Sequence, residues 1–191
     1  EKRSSNSVSN SRVILYFLSI GLAFLFVEIA FIQKFILFLH HPLYAVALVL
    51  TAFLVFAGLG SGFSWRLVRG GHYRRAITVS VIGIVVLGLL YMLFIGSLFA
   101  QFQSLSIAAK IPLTLTMIAP LAFFMGMPFP LALARLGDIA PNLIPWAWGV
   151  NGCASVVSAV LATILAIAVG FNAVIVLALS LYGLAWLSFP K

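Results

Sequence analysis

Apolar residues occur along this chain in six long runs, and polar residues are confined to short segments between them. Each run reaches the roughly 17 to 20 apolar residues that a helix needs to cross about 30 Å of hydrocarbon. The pattern predicts an all-α integral membrane protein, a bundle of six transmembrane helices within residues 13–191 behind a polar tail at 1–12. The predicted spans are about 13–39, 43–63, 76–100, 111–134, 146–169 and 173–189.

Composition points to the same class of protein. Hydrophobic residues make up 64% of the 191 residues, which carry 11 basic and 3 acidic side chains. A soluble monomer of this composition would expose too much apolar surface, so the lipid bilayer is the expected partner. The net charge of +8 is compatible with nucleic acid, but the cations flank apolar runs and do not line a polar face, so no nucleic-acid partner is expected.

The distribution of cations predicts an orientation. With a cytoplasmic N-terminus, only Lys34 and Lys110 fall outside. This positive-inside bias predicts that both termini are cytoplasmic. The polar residues 1–12 lack an initiator Met and are interpreted as a linker from something upstream. The cations predicted to lie inside are Lys2, Arg3, Arg12, Arg66, Arg69, Arg74, Arg75, Arg135 and Lys191.

Four groups of residues, in this order, carry a resemblance. They are VEIAFIQKF at 27–35, HPLYA at 41–45 leading to GLGS at 58–61, GMPFPL at 126–131 and PWAWGVNG at 145–152. Together they resemble the C-terminal membrane half of bacterial spermidine-synthase-like multi-pass membrane proteins. The resemblance implies a bacterial inner-membrane location and a neighbouring soluble domain similar to spermidine synthases and S-adenosylmethionine-dependent methyltransferases.

Catalysis is not expected within this chain. Its acids are at positions 1, 28 and 138, so no acidic cluster is available to hold a cationic amine or the ribose of a cofactor. The glycines at 58, 60 and 62 end a predicted helix that no strand precedes, which argues against a phosphate-binding loop. We therefore expect no catalytic residue and no cofactor here. Any transfer chemistry would belong to a longer parent protein.

Glu28 is the only acid inside a predicted span. A carboxylate at membrane depth is costly and usually faces the bundle interior. Two interpretations stay open: a protonated side chain that fixes helix packing, or a site for a proton, cation or ligand. Tyr91, Thr114 and Thr116 lie at similar predicted depth as partners. Asn151 is expected to bond to a neighbouring helix near the broken end of the fourth span.

Two other features bear on metal sites and thiol chemistry. His40 and His41 flank a predicted turn, but a metal site needs a third ligand, and no other His or Cys lies on that side. No metal site is therefore predicted. Cys153 lies in an apolar stretch of small residues, which favours a packed thiol over a reactive one.

Prolines and small residues predict how the helices bend and pack. Pro120, Pro128 and Pro130 remove backbone donors from the fourth span, so we expect them to kink that helix. Such a kink is either structural or part of a transport site. Small residues spaced by four predict helix contacts, because they let backbones approach closely in lipid. These residues are Gly58 and Gly62 in span two, and Ala154, Ser158 and Ala162 in span five.

The leading functional interpretation is a non-catalytic membrane domain that anchors or partners a cytoplasmic domain or a larger membrane complex. The alternative is a transport or permeation unit for a small solute, cation or proton, built around Glu28 and the broken fourth span. An integral-membrane enzyme is the third class, and the chain lacks the convergent acid–base or metal residues that it needs.

Overall fold

The computed structural model of the chain describes residues 9–68 and 71–190. Residues 1–8 of the predicted tail, Arg69 and Lys191 lie outside the described residues. Seven α-helices and a short 3₁₀ turn at Pro141–Leu143 make up the regular structure of the described ranges. The helices are α1 (Asn10–Leu39), α2 (Pro42–Val68), α3 (Tyr73–Gln101), α4 (Ile107–Met125), α5 (Pro128–Ile139), α6 (Ile144–Val169) and α7 (Phe171–Ser188).

Six of the described segments are long and apolar enough to cross a membrane, with α4 and α5 counted together as Ile107–Ile139. The prediction of a multi-pass, all-helical membrane protein is confirmed to this extent. A helix satisfies all of its own backbone hydrogen bonds, which is why apolar runs in lipid adopt it. The helices extend past the predicted spans, as α2 does to Val68, because a helix can continue beyond the hydrocarbon.

The turn between α1 and α2 follows from its residues. His40 adopts a left-handed conformation with φ of 57°, and its N–H bonds to the carbonyl of Ile36 to end α1. Pro42 then begins α2, where the fixed φ of proline suits the first helical position. A second sharp turn joins α6 to α7 at Gly170, whose φ of 85° favours a residue without a Cβ.

Two hydrogen bonds define the ends of the bundle. The Arg12 guanidinium donates to the carbonyl of Leu187 at 3.2 Å, so α1 begins where α7 ends. At the opposite end, Lys110 Nζ donates to the carbonyl of Phe38 at 3.0 Å, so α4 begins where α1 ends. We call the end with Arg12 the basic end and the end with His40 the histidine end.

Helix α1 lies at the centre of the bundle. In its most apolar stretch 61% of the residues are buried, against 17% in the span that contains α6, which therefore lies at the periphery. The aromatic rings of Phe17, Phe31 and Phe35 on α1 are fully buried. The core is thus built mainly on α1, with α2, α6 and α7 packed around it.

Candidate solute cavity at the helix break

The helical hydrogen bonding of the fourth span is interrupted at Gly126–Met127, a segment that we call the helix break. Pro128 follows it and has no N–H to offer the carbonyl of Phe124, four residues earlier. Ser80 Oγ of α3 donates to that carbonyl at 2.9 Å, and the N–H of Met127 reaches it at 3.3 Å. A side chain of a neighbouring helix therefore satisfies the acceptor that the proline leaves free.

The other two prolines do not coincide with the interruption. Helix α4 continues through Pro120, and Pro130 lies in the first turn of α5. A first turn has no intrahelical use for its N–H groups, so proline is tolerated there. The interruption therefore falls ahead of Pro128 alone.

Glycines bring α2 and α4 into backbone contact beside the helix break. A Cβ added to Gly60 would lie 1.9 Å from the carbonyl oxygen of Phe123, and one added to Gly126 would lie 2.0 Å from that of Ala57. Gly58 and Gly62 are exposed, and a Cβ on either would meet nothing within 4 Å. Successive residues of a helix are about 100° apart, so residues two positions apart point to nearly opposite sides. Gly60 therefore faces away from Gly58 and Gly62, which were predicted to make the contact.

A cavity of about 420 Å³ opens at the helix break between α1, α2, α6 and α7. We call it the break cavity. Gly126 of the helix break and Pro128 and Pro130 of α5 form part of its wall, and most of the remaining wall is apolar. The polar side chains that line it are Ser61, Asn151, Ser155 and Tyr182. None of these four carries a formal charge, so the described lining is polar at a few points and neutral.

Two tyrosines show how the polar groups of the cavity are satisfied. The Tyr16 hydroxyl donates to the carbonyl of Pro128 at 2.8 Å, which ties α1 to the start of α5. The Tyr182 hydroxyl is also buried, but it has no hydrogen-bond partner among the described residues. A buried hydroxyl without a partner is costly, so Tyr182 is the group of this cavity that most needs an explanation.

Asn151 lies in this cavity beside the helix break, but no hydrogen bond between its side chain and a neighbouring helix is present among the described residues. It also contacts α1, because a Cβ added to Gly21 would lie 2.8 Å from its carbonyl oxygen and 3.0 Å from its side-chain oxygen. Ser155, one turn along α6, donates from its hydroxyl to the same carbonyl at 2.9 Å. The amide of Asn151 is therefore held close to the backbone of α1.

Glu28 lies next to the break cavity but is not among the residues that line it. Its exposed fraction is 6%. It follows Phe24 and Leu25, which do line the cavity, by four and three residues, so it continues the same face of α1 by one turn toward the histidine end. None of the hydrogen bonds between described residues involves its carboxyl group.

The structure does not join the predicted partners to Glu28. The Tyr91 hydroxyl donates to the carbonyl of Met117 on α4. Thr116 is exposed, and its hydroxyl donates to the carbonyl of Pro112 at 2.9 Å within its own helix. Thr114 is fully buried, and its hydroxyl has no hydrogen-bond partner among the described residues. These side chains donate to backbone carbonyls of α4 or lie on that helix, and they do not form one site with the carboxyl group of Glu28.

Small residues of α6 lie against α1. Ala154, Ser158 and Ala162 are each 2% exposed or less. Ser158 Oγ donates to the carbonyl of Leu22 at 2.8 Å, and a Cβ added to Gly21 would lie 2.9 Å from the methyl carbon of Ala154. The predicted stripe of span five therefore faces the central helix.

Sequence reasoning did not single out Gly60, Gly126, Ser80 or Tyr182. Gly60 lies between two other glycines in the sequence, and only the orientation of α2 in the fold shows that it contacts α4. Ser80 and Tyr182 had a usable signal, because each is a hydroxyl inside an apolar run. Among the described residues there is no group of three His, Cys, Asp or Glu side chains that could hold a metal ion.

These features define a class: a multi-pass helical membrane protein with a neutral cavity beside an interrupted helix. No protein-family model, curated protein or solved structure matches the chain. The resemblance to spermidine-synthase-like membrane proteins therefore stays a prediction that rests on the motifs quoted above.

Proposed function

We propose that this chain is a non-catalytic domain of the bacterial inner membrane that takes up a small polar solute in the break cavity, as part of a transport or permeation unit. The observation that carries the proposal is the break cavity itself, where Ser61, Asn151 and Ser155 line an otherwise apolar wall beside an interrupted helix. A pocket that is mostly apolar with a few polar groups suits a small solute that forms hydrogen bonds.

The interrupted helix supports the same function. In transporters, broken helices supply backbone groups to substrate sites near the middle of the membrane, where lipid cannot satisfy them. Here Gly126 and Pro128 line the cavity together with Ser61 and Asn151. The residues of the described lining are neutral, which favours a solute that forms hydrogen bonds and carries no strong charge.

Glu28 would act as a proton-binding group one turn beyond the solute. It is the only acid within the predicted spans, and an ionisable residue at this depth is a functional candidate by default. Exchange of its proton during solute passage would couple the two movements. The proposal includes the orientation that the cations favour, with both termini in the cytoplasm, and a fourth span kinked at Pro128.

Flux into liposomes tests this function. The reconstituted protein should speed the entry of glycerol, followed by light scattering after an osmotic step, above that of empty liposomes. Ser155→Leu adds bulk inside the cavity and should abolish the increase. Val156→Leu, on the neighbouring exposed position, is the matched control and should leave it intact. Entry at the rate of empty liposomes, or equal rates in both variants, would contradict the proposal.

Glu28→Gln separates the coupled from the passive form of the function. The amide keeps the shape and hydrogen-bonding capacity of the neutral acid but cannot ionise. A pH-sensitive dye inside the liposomes should report proton entry with glycerol in the parent and none in the variant. If the variant folds and both traces match the parent, Glu28 has only a packing role.

The anchoring or partnering role implied by the resemblance stays a prediction. It expects a stable complex with other membrane or cytoplasmic subunits. Native mass measurement after gentle solubilisation should then show a species heavier than the bare chain. A lone, well-behaved monomer in several mild detergents would count against a permanent partner and would leave the cavity proposal intact.

A further inference from the structure

A second cavity, of about 420 Å³, opens at the basic end of the bundle, and we call it the basic cleft. It is a different site from the break cavity, because the two share none of their described lining residues. The start of α3, the helix α5 and the chain after α7 meet there. The residues that line it are Gly71, Tyr73, Arg74, Arg135, Phe189 and Pro190.

Two guanidinium groups from different helices converge on the basic cleft. Arg74 comes from the first turn of α3 and Arg135 from α5. Neither forms an ion pair with an acid among the described residues; each instead lies near an aromatic ring. The Arg74 guanidinium is 4.7 Å from the centre of the Trp186 ring, and that of Arg135 is 5.7 Å from the centre of the Tyr73 ring.

Both aromatic rings are themselves held in place. The indole N–H of Trp186 donates to Thr78 Oγ1 at 2.9 Å, and the Tyr73 hydroxyl donates to Asp138 Oδ2 at 2.7 Å. An arginine stacked on a fixed ring keeps its N–H groups free and loses less entropy when it binds an anion. The one acid nearby, Asp138, is bonded to Tyr73 and is not among the lining residues.

The start of α3 adds further donors. The first N–H groups of a helix have no partner within it and form the positive end of its dipole. Helix α3 begins at Tyr73, and no side chain caps it at His72. Gly71, with φ of 72°, turns the chain so that this end borders the cleft. Two free guanidinium groups and an uncapped helix start therefore face one space.

We infer that the basic cleft binds the phosphate group of an anionic phospholipid. Arginine matches the geometry of phosphate oxygens with paired N–H donors. The cleft lies at the end of the spans, where lipid headgroups are expected, and Phe189 and Pro190 give it an apolar wall. Basic pockets between transmembrane helices at this depth suit acidic headgroups.

Lipid titration followed by native mass spectrometry tests the inference on the full chain in detergent. Phosphatidylglycerol should be retained by the parent, and phosphatidylcholine, which has a phosphate but no net charge, should be retained less. The double variant Arg74→Gln with Arg135→Gln should weaken binding of phosphatidylglycerol by about tenfold or more, since a charged hydrogen bond contributes about 1.5–3 kcal/mol.

Arg75→Gln is the matched control, because it removes the same charge at the next residue. Arg75 borders a different hollow, together with His72 and Ala76, and should bind lipid like the parent. An equal loss in Arg75→Gln and Arg74→Gln would show diffuse attraction and overturn the site. Arg74→Lys keeps the charge but lacks the paired N–H donors of the guanidinium. Its affinity for phosphatidylglycerol should lie between those of the parent and Arg74→Gln, and this comparison holds even if the double variant does not fold.

Inorganic phosphate distinguishes a lipid from a soluble phosphate compound. Millimolar phosphate should not displace phosphatidylglycerol, because only the lipid also has acyl chains that can contact the apolar wall at Phe189 and Pro190. Displacement that depends on Arg74 and Arg135 would overturn the lipid and assign the cleft to a soluble phosphate ligand. Failure of the glycerol flux described above would leave this inference unchanged, since it rests on other residues.

Discussion

The two halves of the bundle differ in how they are filled. At the histidine end, aromatic rings close the interior: Phe38 stacks on Phe99 with centroids 4.5 Å apart, and Phe35 lies 5.0 Å from Phe99. Lys110 seals the end of α1 there. At the basic end the fourth span is interrupted, and the break cavity and the basic cleft open there. Large aromatic rings fill the half at the histidine end. In the half at the basic end, glycines and prolines fix the backbone and leave space.

This comparison separates a part that holds the helices together from a part that is available to ligands. The open half is not loose, because backbone contacts at Gly60 and Gly126 hold α2 against the fourth span and the stripe on α6 packs against α1. These contacts fix the helices around the space, and binding pockets are usually largely pre-formed. The predictions below begin with substitutions at the contacts between helices and end with the two tyrosine hydroxyl groups.

The largest effect is expected at the glycines between α2 and α4. Gly60→Ala would place a methyl group 1.9 Å from a backbone oxygen, which cannot move without separating the helices. We expect a loss of more than about 3 kcal/mol in the free energy of unfolding, above the usual cost of overpacking. Titration with a denaturing detergent in mixed micelles measures it.

Gly58→Ala and Gly62→Ala are the controls for that change. They are the same substitution on the same helix, with no neighbour within 4 Å. Because alanine is the better helix former, each should be neutral or stabilise by up to about 1 kcal/mol. If all three variants unfold alike, α2 and α4 do not meet at Gly60.

The next largest effect is expected at the contact between α1 and α6. Ser158→Leu should cost about 1–3 kcal/mol, because the larger side chain would collide with the backbone of α1 near Leu22. Ser158→Ala loses only one hydrogen bond between helices, about 0.6 kcal/mol in membranes. Thermal unfolding in detergent ranks the two against the parent, and an unchanged Ser158→Leu would place this face toward lipid.

Lys110 tests the closed half. Lys110→Met keeps the length of the buried side chain but removes the charge that bonds to the end of α1, so we expect a loss of about 1–2 kcal/mol. Lys34, whose Nζ lies 5.3 Å from the centre of the Phe171 ring, is the control. Lys34→Met should cost about 0.5–1 kcal/mol, and a larger loss there than at Lys110 would contradict the assignment.

The smallest effect concerns the two tyrosine hydroxyls. Tyr16→Phe removes a real hydrogen bond to Pro128 and should cost about 1 kcal/mol. Tyr182→Phe removes a hydroxyl without a protein partner and should cost less than about 0.5 kcal/mol. Unfolding titrations of both variants, run side by side, give the difference. The reverse order would mean that the Tyr182 hydroxyl has a structural partner.

The sequence was informative where the bilayer determines the outcome. Long apolar runs were sufficient to predict six spanning segments, because lipid leaves a chain few alternatives to helices. The stripe at Ala154 and Ser158 was found by its spacing alone. The side of α2 that contacts α4 was harder to predict. Spacing selected Gly58 and Gly62, but the orientation of α2 depends on packing, and in the structure Gly60 is the glycine that faces α4.

The cavity was visible from the sequence only in parts. Asn151 and Pro128 were singled out separately, and only the fold brings them to one wall. Glu28 was placed correctly inside a span, but its expected partners on α3 and α4 are bonded elsewhere. Cys153 was predicted to be packed and is exposed, because the next residue, Ala154, takes the position against α1.

The central claim, that water and small solutes reach the break cavity, has a direct test by thiol labelling. Cys153→Ser gives a background without cysteine, since the chain has a single one. Ser155→Cys in the cavity is compared with Thr163→Cys, two turns along α6 on an exposed position. In native membranes, a small, water-soluble methanethiosulfonate should label Ser155→Cys and leave Thr163→Cys in the lipid unlabelled. Equal labelling of both positions, or no labelling at Ser155→Cys, would contradict the account.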